Sequence, residues 1–237
     1  MALPYFIWKG KSSQEMGVIV SEYPPISRAT ERTSIKTVPG RPGHLTMLES
    51  DEIPIYDGYL KTLNCYIRPG ANKEEIFAWL SGGSQVIFGN EPNRRYFARI
   101  TNQIDFDKIV RGRDYYSFAV PFYVQPFKGQ YPIESTMEIT VPWTMINNPG
   151  TVPAYPTVTL YGNGAIDFHL GGGVVKLKSI VSGIILDWDS MECMSLDKAS
   201  LLNHRVSGTQ FIPVGNSQVG WTGSVSRVVI QPNWRWL

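Results

Sequence analysis

The sequence predicts a mainly β protein of two domains. The first is an N-terminal β-sandwich-like domain with one α-helix and an extended β-hairpin arm; the second is a C-terminal β-sandwich. Three observations predict this. Tyr, Phe, Trp, Val, Ile and Thr are plentiful while long Leu/Ala/Glu/Lys runs are scarce, the balance of strands. Gly (22) and Pro (17) both exceed their average share, so short elements alternate with frequent turns. One segment alone, near Lys73, carries a helical period.

Tyr5-Phe6-Ile7-Trp8 and Gly17-Val18-Ile19-Val20 are apolar runs separated by the polar stretch Lys9 to Glu15, which predicts two strands and a turn. Tyr23-Pro24-Pro25 breaks the second strand. Strands are also expected at Ile53 to Ile55 and Leu60 to Ile67. In the latter, Leu60, Thr62, Asn64 and Tyr66 alternate with Lys61, Leu63, Cys65 and Ile67, which predicts cover on much of both faces. A helix is expected over Lys73 to Ser81. Asn72 is its N-cap, Glu75 stands at capping-box spacing, and Gly82-Gly83 ends it. Ile76, Phe77, Trp79 and Leu80 form its apolar stripe. Strands follow at Gln85 to Phe88, Arg95 to Asp107 and Tyr115 to Val124, with a hairpin tip at Arg111-Gly112-Arg113-Asp114.

The stretch Ser27 to Thr46 is of a different kind. Two polar, strand-like runs flank Val38-Pro39-Gly40-Arg41-Pro42-Gly43, where proline cannot donate to a ladder and glycine supplies positive φ. Its only large aliphatic side chains are Ile35, Val38 and Leu45. A strand pair with so little to bury has no reason to enter its own core, so it is expected to pair with, or reach across, another subunit. Arg28, Arg32, Ile35, Lys36, Val38, Pro39, Arg41 and Leu45 are the expected contact residues.

Lys128 to Pro132 is the expected boundary, giving domains 1–130 and 131–237. Beyond it, about seven short strands are expected. They lie at Glu138 to Val141, Thr157 to Tyr161, Ala165 to Leu170, Val174 to Val181, Ile184 to Trp188, Phe211-Ile212 and Val225 to Ile230. Turns are expected at Asn147 to Gly150, Gly162-Asn163-Gly164, Gly171 to Gly173, Ser182-Gly183 and Val214 to Asn216. That spacing suggests a compact sandwich. The aromatic finish Trp234-Arg235-Trp236-Leu237 is expected to be tied into a sheet or an interface.

With 237 residues, 43% hydrophobic and 18% charged, the chain has the composition of a globular protein with a sizeable core. Net charge is +2 with both signs interspersed, so no basic face argues for nucleic acid. No apolar run has the length of a membrane span, and the apolar start lacks a basic n-region and a small-residue cleavage site. Cys65 and Cys193 read as buried free thiols rather than a disulfide, fitting synthesis in a reducing cytosol.

Chemistry is sparse. His44, His169 and His204 each stand alone, and no metal spacing, nucleophile elbow or phosphate loop occurs. Asp105/Asp107 and Asp187/Asp189 have period-two spacing, which in a strand places two carboxylates about 7 Å apart, within glycosidase range. A polar strand face is the better reading, with Trp188 turned to the buried side; a weak calcium site is the remaining alternative. No catalytic residue, cofactor or metal is expected. Trp143, Trp188 and Trp221 are candidate sugar-stacking platforms, against the simpler reading that large side chains fill a small sandwich.

Taken in order, several segments resemble the distal tail protein (Dit) family of long-tailed, non-contractile phages. They are the apolar strand, charged turn and Gly-led strand from Lys9 to Val20, the arm motif Val38 to Gly43, and the aromatic-Pro-Phe run Val124 to Lys128. They continue with Asn148 to Gly164, where Asn-x-Gly-Thr is followed by Tyr-Pro and Gly-x-Gly. The finish is Phe211, Pro213, Gly215, Asn216 and Trp234 to Trp236. The resemblance spans nearly the whole chain. It implies a first domain that forms a six-fold ring through the arm, or belt, and a second, galectin-like sandwich projecting from it. It implies a hub between tail tube and baseplate or tip, contacting the tube protein on one side and the tail-associated (tail-tip) protein on the other, in the virion. The strand-borne polar set with which galectins hold sugar is not found here, so the shape would carry protein contacts.

Two function classes follow. The first is a structural ring component. The second is a carbohydrate-binding or host-adhesion module using Trp143, Trp188 or Trp221. A hydrolase ranks behind both for want of converging groups.

Overall fold

A computed structural model of the protein describes residues 4–48, 54–109, 113–208 and 210–237. It is mainly β, as expected, and divides into two compact units, one of Met1–Tyr131 with Leu237 and one of Pro132–Trp236.

In the first unit the elements run β1 (Phe6–Trp8), β2 (Lys11–Ser12), β3 (Val18–Val20), β4 (Thr33–Thr37), β5 (His44–Leu48) and β6 (Tyr59–Ile67). Helix α1 (Lys73–Trp79) follows, then β7 (Gly82–Phe88), β8 (Arg94–Ile100), β9 (Asp107–Lys108) and β10 (Tyr116–Gln130). One antiparallel sheet takes the order β2-β1-β7-β8-β10-β6-β3, with β9 against the start of β10. Its inner face buries Phe6, Trp8, Val18, Leu63, Cys65, Val86, Phe88, Tyr96, Phe118, Val120, Phe122 and Val124. Each such side chain gains about 2 kcal/mol on leaving water.

The helix forms where the cap places it. Asn72 accepts hydrogen bonds from the backbone N–H groups of Glu74 and Glu75, and the two glutamates face the positive end of the helix. It closes the core with Ile76, Trp79 and Leu80. Trp8 and Trp79 each donate an indole N–H to the other's carbonyl oxygen at 2.9 Å, so neither buried donor is orphaned. Phe77 leaves the expected apolar stripe: it is 43% exposed and stacks on Phe106 at 3.9 Å. The glycines do not form the helix stop. Leu80 caps the helix, and Gly82 and Gly83 already belong to β7.

Other expectations need correction. β6 is covered on one face only: Lys61, Leu63, Cys65 and Ile67 are buried while Leu60, Thr62, Asn64 and Tyr66 are exposed. The strand expected from Arg95 to Asp107 stops at Ile100, because the polar stretch Thr101 to Gln103 offers no inward side chain to continue the alternation. Ile53 and the tip residues Arg111 and Gly112 lie outside the described residues; Pro54 and Ile55 are not in a strand.

The second unit contains β11 (Met137–Ile139), β12 (Thr144–Asn148), β13 (Thr157–Leu170), β14 (Gly173–Ile180), β15 (Ile184–Asp187), β16 (Glu192–Met194), β17 (Arg205–Ser207) and β18 (Gly215–Gln231). A short 3-10 turn, Leu202–His204, precedes β17, and a two-residue strand, Arg235–Trp236, follows β18. Two long strands replace several of the short ones expected. β13 pairs along its whole length with β18, from Thr157 opposite Gln231 to Leu170 opposite Val219. Their first and last halves take different neighbours. β11 and β15 flank the end holding Val158 and Ile230, while β12 and β14 flank the end holding Phe168 and Val219. Both halves feed one core containing Val158, Leu160, Phe168, Leu170, Leu186, Trp188, Val228, Ile230 and Trp234. This is a sandwich folded from one bent strand pair.

The bend is where Gly162-Asn163-Gly164 sits. That segment is not a hairpin turn: the register slips between Tyr161 and Gly162 and again before Ile166, and the strand continues. A Cβ on Gly162 would lie 2.3 Å from the Ser224 carbonyl oxygen, so only glycine permits the approach. Ile212 makes an isolated bridge to Ala154 rather than a strand, and Gly215-Asn216 opens β18 rather than forming a turn.

Candidate functional site

The arm stands apart from the core of its own unit. β4 and β5 form a two-stranded sheet of their own, registered from Thr33 opposite Leu48 to Thr37 opposite His44. Gly40 and Gly43, with φ of 78° and 82°, make the tip, and the Arg41 N–H closes it onto the Val38 carbonyl at 3.2 Å. Every side chain from Arg32 to Met47 is exposed, including Ile35 (64%), Val38, Leu45 and Met47. From Thr33 to Leu48 the chain carries Lys36, Arg41 and His44 and no carboxylate. An isolated two-stranded ribbon is marginal in water, since it buries no face. It also presents two free strand edges to any partner.

The arm's root, in contrast, is fixed. Pro24 and Pro25 cannot donate to a ladder, and the carbonyls of this linker accept from side chains. Asn90 Nδ2 donates to the Pro24 carbonyl at 2.9 Å, Lys61 Nζ to that of Pro25 at 2.5 Å, and the Tyr59 hydroxyl to that of Ser27 at 3.1 Å. Beyond Ala29, which is buried, the chain is tied again. The Asp57 N–H donates to Thr30, the Arg32 N–H donates to Ile55, and Glu31 bridges Tyr56. Arg32 then grips one oxygen of Asp57 through Nε at 2.9 Å and Nη2 at 2.6 Å.

Under the root lies a buried polar cluster. Lys61 is on the core side of β6, 3% exposed, with its ammonium over the rings of Phe88 and Tyr96. Lys128 Nζ donates to Glu91 Oε1 at 3.0 Å, and the Tyr96 hydroxyl donates to Glu91 Oε2. One carboxylate thus faces two ammoniums. Burial pulls the Lys61 pKa down, opposed by Glu91 and aided by Lys128. Burial, with Glu91 adding to it, pushes Tyr59 up to about 12 and raises Tyr96 as well.

Of the residues expected to make contacts, Ile35 and Lys36 lie in β4, Val38, Pro39 and Arg41 in the tip, and Leu45 in β5. Arg28 is exposed before the arm, whereas Arg32 is spent within its own chain on Asp57. Sequence reasoning missed Met47 and the whole anchor. The signal for the anchor was present: Lys61 occupies the apolar phase of its strand, and two successive prolines take the linker out of ladder pairing. A second exposed surface belongs to the outer face of the same sheet. Leu60, Tyr66, Phe97 and Tyr123 stand there in solvent, with Tyr123 directly between Leu60 and Arg99.

The alternative sites fare differently. Trp188 (1% exposed) and Trp221 (6%) are buried in the second core, so neither offers a ring face to a sugar; Trp143 is 47% exposed. Asp189 lies in a turn rather than on the strand of Asp187. Asp187 accepts from the N–H groups of Asp189 and Ser190, so the two carboxylates do not share a strand face. Asp105 is likewise outside β9. His44 meets Thr37, His169 lies against Trp143, and His204 meets the carbonyls of Lys178 and Ser179. Among the described residues no group of three or more His, Cys, Asp or Glu could hold a metal ion, and no helix is long and apolar enough to cross a membrane. Cys65 and Cys193 are free and buried.

No protein-family model matches the chain, and no curated protein does. A solved structure does: the Dit (gp 19.1) protein of SPP1, described as a paradigm of the hub adsorption apparatus in phages infecting Gram-positive hosts. It superposes over 100% of both chains with a TM-score of 0.77 at 15% sequence identity. The chain has the fold of that protein.

Proposed function

We propose, from that shared fold, that this chain is a distal tail protein, the ring-forming hub of a phage tail. The observation that carries the reading is the arm: a fully exposed, carboxylate-free ribbon held rigidly at its root and bare along its length. A structure that fixes the origin of a ribbon and leaves its edges open suits backbone pairing with a neighbouring copy. Repeating one such heterologous contact by rotation closes a ring, and six copies is the number we assign. The first unit, residues 1–130, forms the ring. The second, residues 131–237, is a galectin-like sandwich for protein contacts. The ring joins the tail tube protein to the tail-associated protein of the baseplate or tip, and the protein resides in the virion. The role is structural rather than enzymatic. No nucleic acid, membrane or cofactor takes part.

Deleting Thr33 to Thr46 tests it. The intact chain is expected to sediment as a hexamer and the deletion variant as a folded monomer. Native mass spectrometry fixes the copy number. A deletion variant that still sediments as a hexamer overturns the role of the arm, and an intact chain that stays monomeric at every concentration and with tail partners overturns the ring.

A further inference from the structure

Of the seven tryptophans, Trp143 alone is more than a third exposed. Its backbone is also an outlier, with φ at 64°, a conformation that bulky side chains avoid. The residue follows Pro142 in the turn that enters β12, which sets this conformation and aims the side chain back over the sheet. The surroundings here are visible. A Cβ on Gly220 would meet the indole at 2.4 Å, so glycine at that position lets the six-membered ring lie against β18. His169, opposite Gly220 on β13, supports the indole with ring centroids 4.9 Å apart.

The strand register places polar groups on the same face as this platform. Val219 and Trp221 point into the core, so Gln218, Gly220 and Thr222 share the outer face. Thr222 pairs with Asp167, and Asp167 with Lys176 across β14. Gln218, Thr222, Asp167 and Lys176 have no side-chain hydrogen bond or ion pair among the described residues. A half-exposed ring sharing a sheet face with unengaged donors and acceptors matches the two-sided chemistry of a pyranose, which has apolar C–H faces and hydroxyls at its rim.

We propose that Trp143, His169, Asp167, Lys176, Thr222 and Gln218 form a saccharide-binding site, the indole taking a pyranose face and the polar groups its hydroxyls. The site is independent of the ring-hub reading, since it lies wholly in the second unit. Val141 and Met145 are exposed nearby, so coverage of this patch by a protein partner is the competing outcome. The sugar is preferred because Asp167, Lys176, Thr222 and Gln218 put charged and hydrogen-bonding groups, without partners of their own, on the same face as the indole, and a ligand rich in hydroxyls engages them.

The test titrates the full chain with chitotriose, lactose and maltotriose, followed by tryptophan fluorescence and calorimetry. At least one is expected to bind with a Kd on the order of 1 mM. Trp143→Gly, which accepts the backbone conformation without strain, is expected to weaken it about 10-fold or more with the melting temperature unchanged. Gly220→Val, which displaces the indole, is expected to do the same. No response to any of the three sugars overturns the proposal, as does equal affinity in Trp143→Gly. Loss of binding to tail proteins in Trp143→Gly, with the sugars inert, overturns it in favour of a protein-docking patch.

Discussion

Lys61 holds the carbonyl oxygen of Pro25 at 2.5 Å from inside the core, across a sequence separation of 36 residues. The contact joins the interior of the first sheet to the linker from which the arm departs. Glu91 and Lys128 share the same pocket, as does Tyr96. The arm's exit is therefore set by buried electrostatics rather than by the arm's own sequence.

Replacing Lys61 with Met keeps the aliphatic stem and removes the donor. The expected cost is about 1 kcal/mol, because relief from burying a charge partly offsets the orphaned carbonyl. Hydrogen exchange should quicken at Ile26 to Arg32 while β6 and β10 stay protected. Unchanged exchange at the root would show that Lys61 does not hold the arm.

Tyr59 makes the stability of the first unit sensitive to alkali. Its folded pKa of about 12 lies above the ordinary value of 10.0, so the folded state retains a proton that the unfolded state releases. Its contribution is complete below pH 10 and is lost as pH rises towards 12. Lys61 has the opposite sign: with its pKa lowered, its charge is penalised at neutral pH, and stability recovers as pH rises from that depressed value towards 10.5. Urea melts of Tyr59→Phe should be weaker than wild type at neutral pH by about 1 kcal/mol, for the lost bond to Ser27, and should fall less steeply between pH 10 and 12. Parallel curves would exclude Tyr59 as the alkaline sensor.

Gly162→Ala should unfold the second unit selectively. Its Cβ would be driven against the backbone oxygen of Ser224, which a side-chain rotation cannot relieve. A loss of about 2 kcal/mol or more is expected in that unit's thermal transition, with the signal of the first unit unmoved. A neutral substitution would mean that the bend between the two halves of β13 tolerates opening.

The thiols should be silent in the native protein. Burial pushes Cys65 up to about 12 and raises Cys193 too, despite the favourable field of Arg205. Thiolate is the reactive form, so a disulfide reagent at about pH 8 should label neither until denaturant is added. Fast labelling of either in the native state would refute the packing described for it.

The strand-and-turn class, the helix with its Asn72 cap, and the isolation of the Thr33 to Thr46 ribbon were legible in the chain. These follow from local rules: residue shape, capping geometry, and the absence of enough apolar side chains to bury. Tertiary structure alone decided the rest, because each remaining feature depends on residues brought together from far apart. Gly162-Asn163-Gly164 looks like a hairpin turn until pairing with Ser224 and Val225 carries the strand through it. Trp188 and Trp143 are alike in sequence, yet one fills the core and the other is held out by Gly220 and His169. Lys61 reads as one polar residue in an apolar phase, and only folding supplies the proline carbonyl, the carboxylate and the rings that make its burial tolerable.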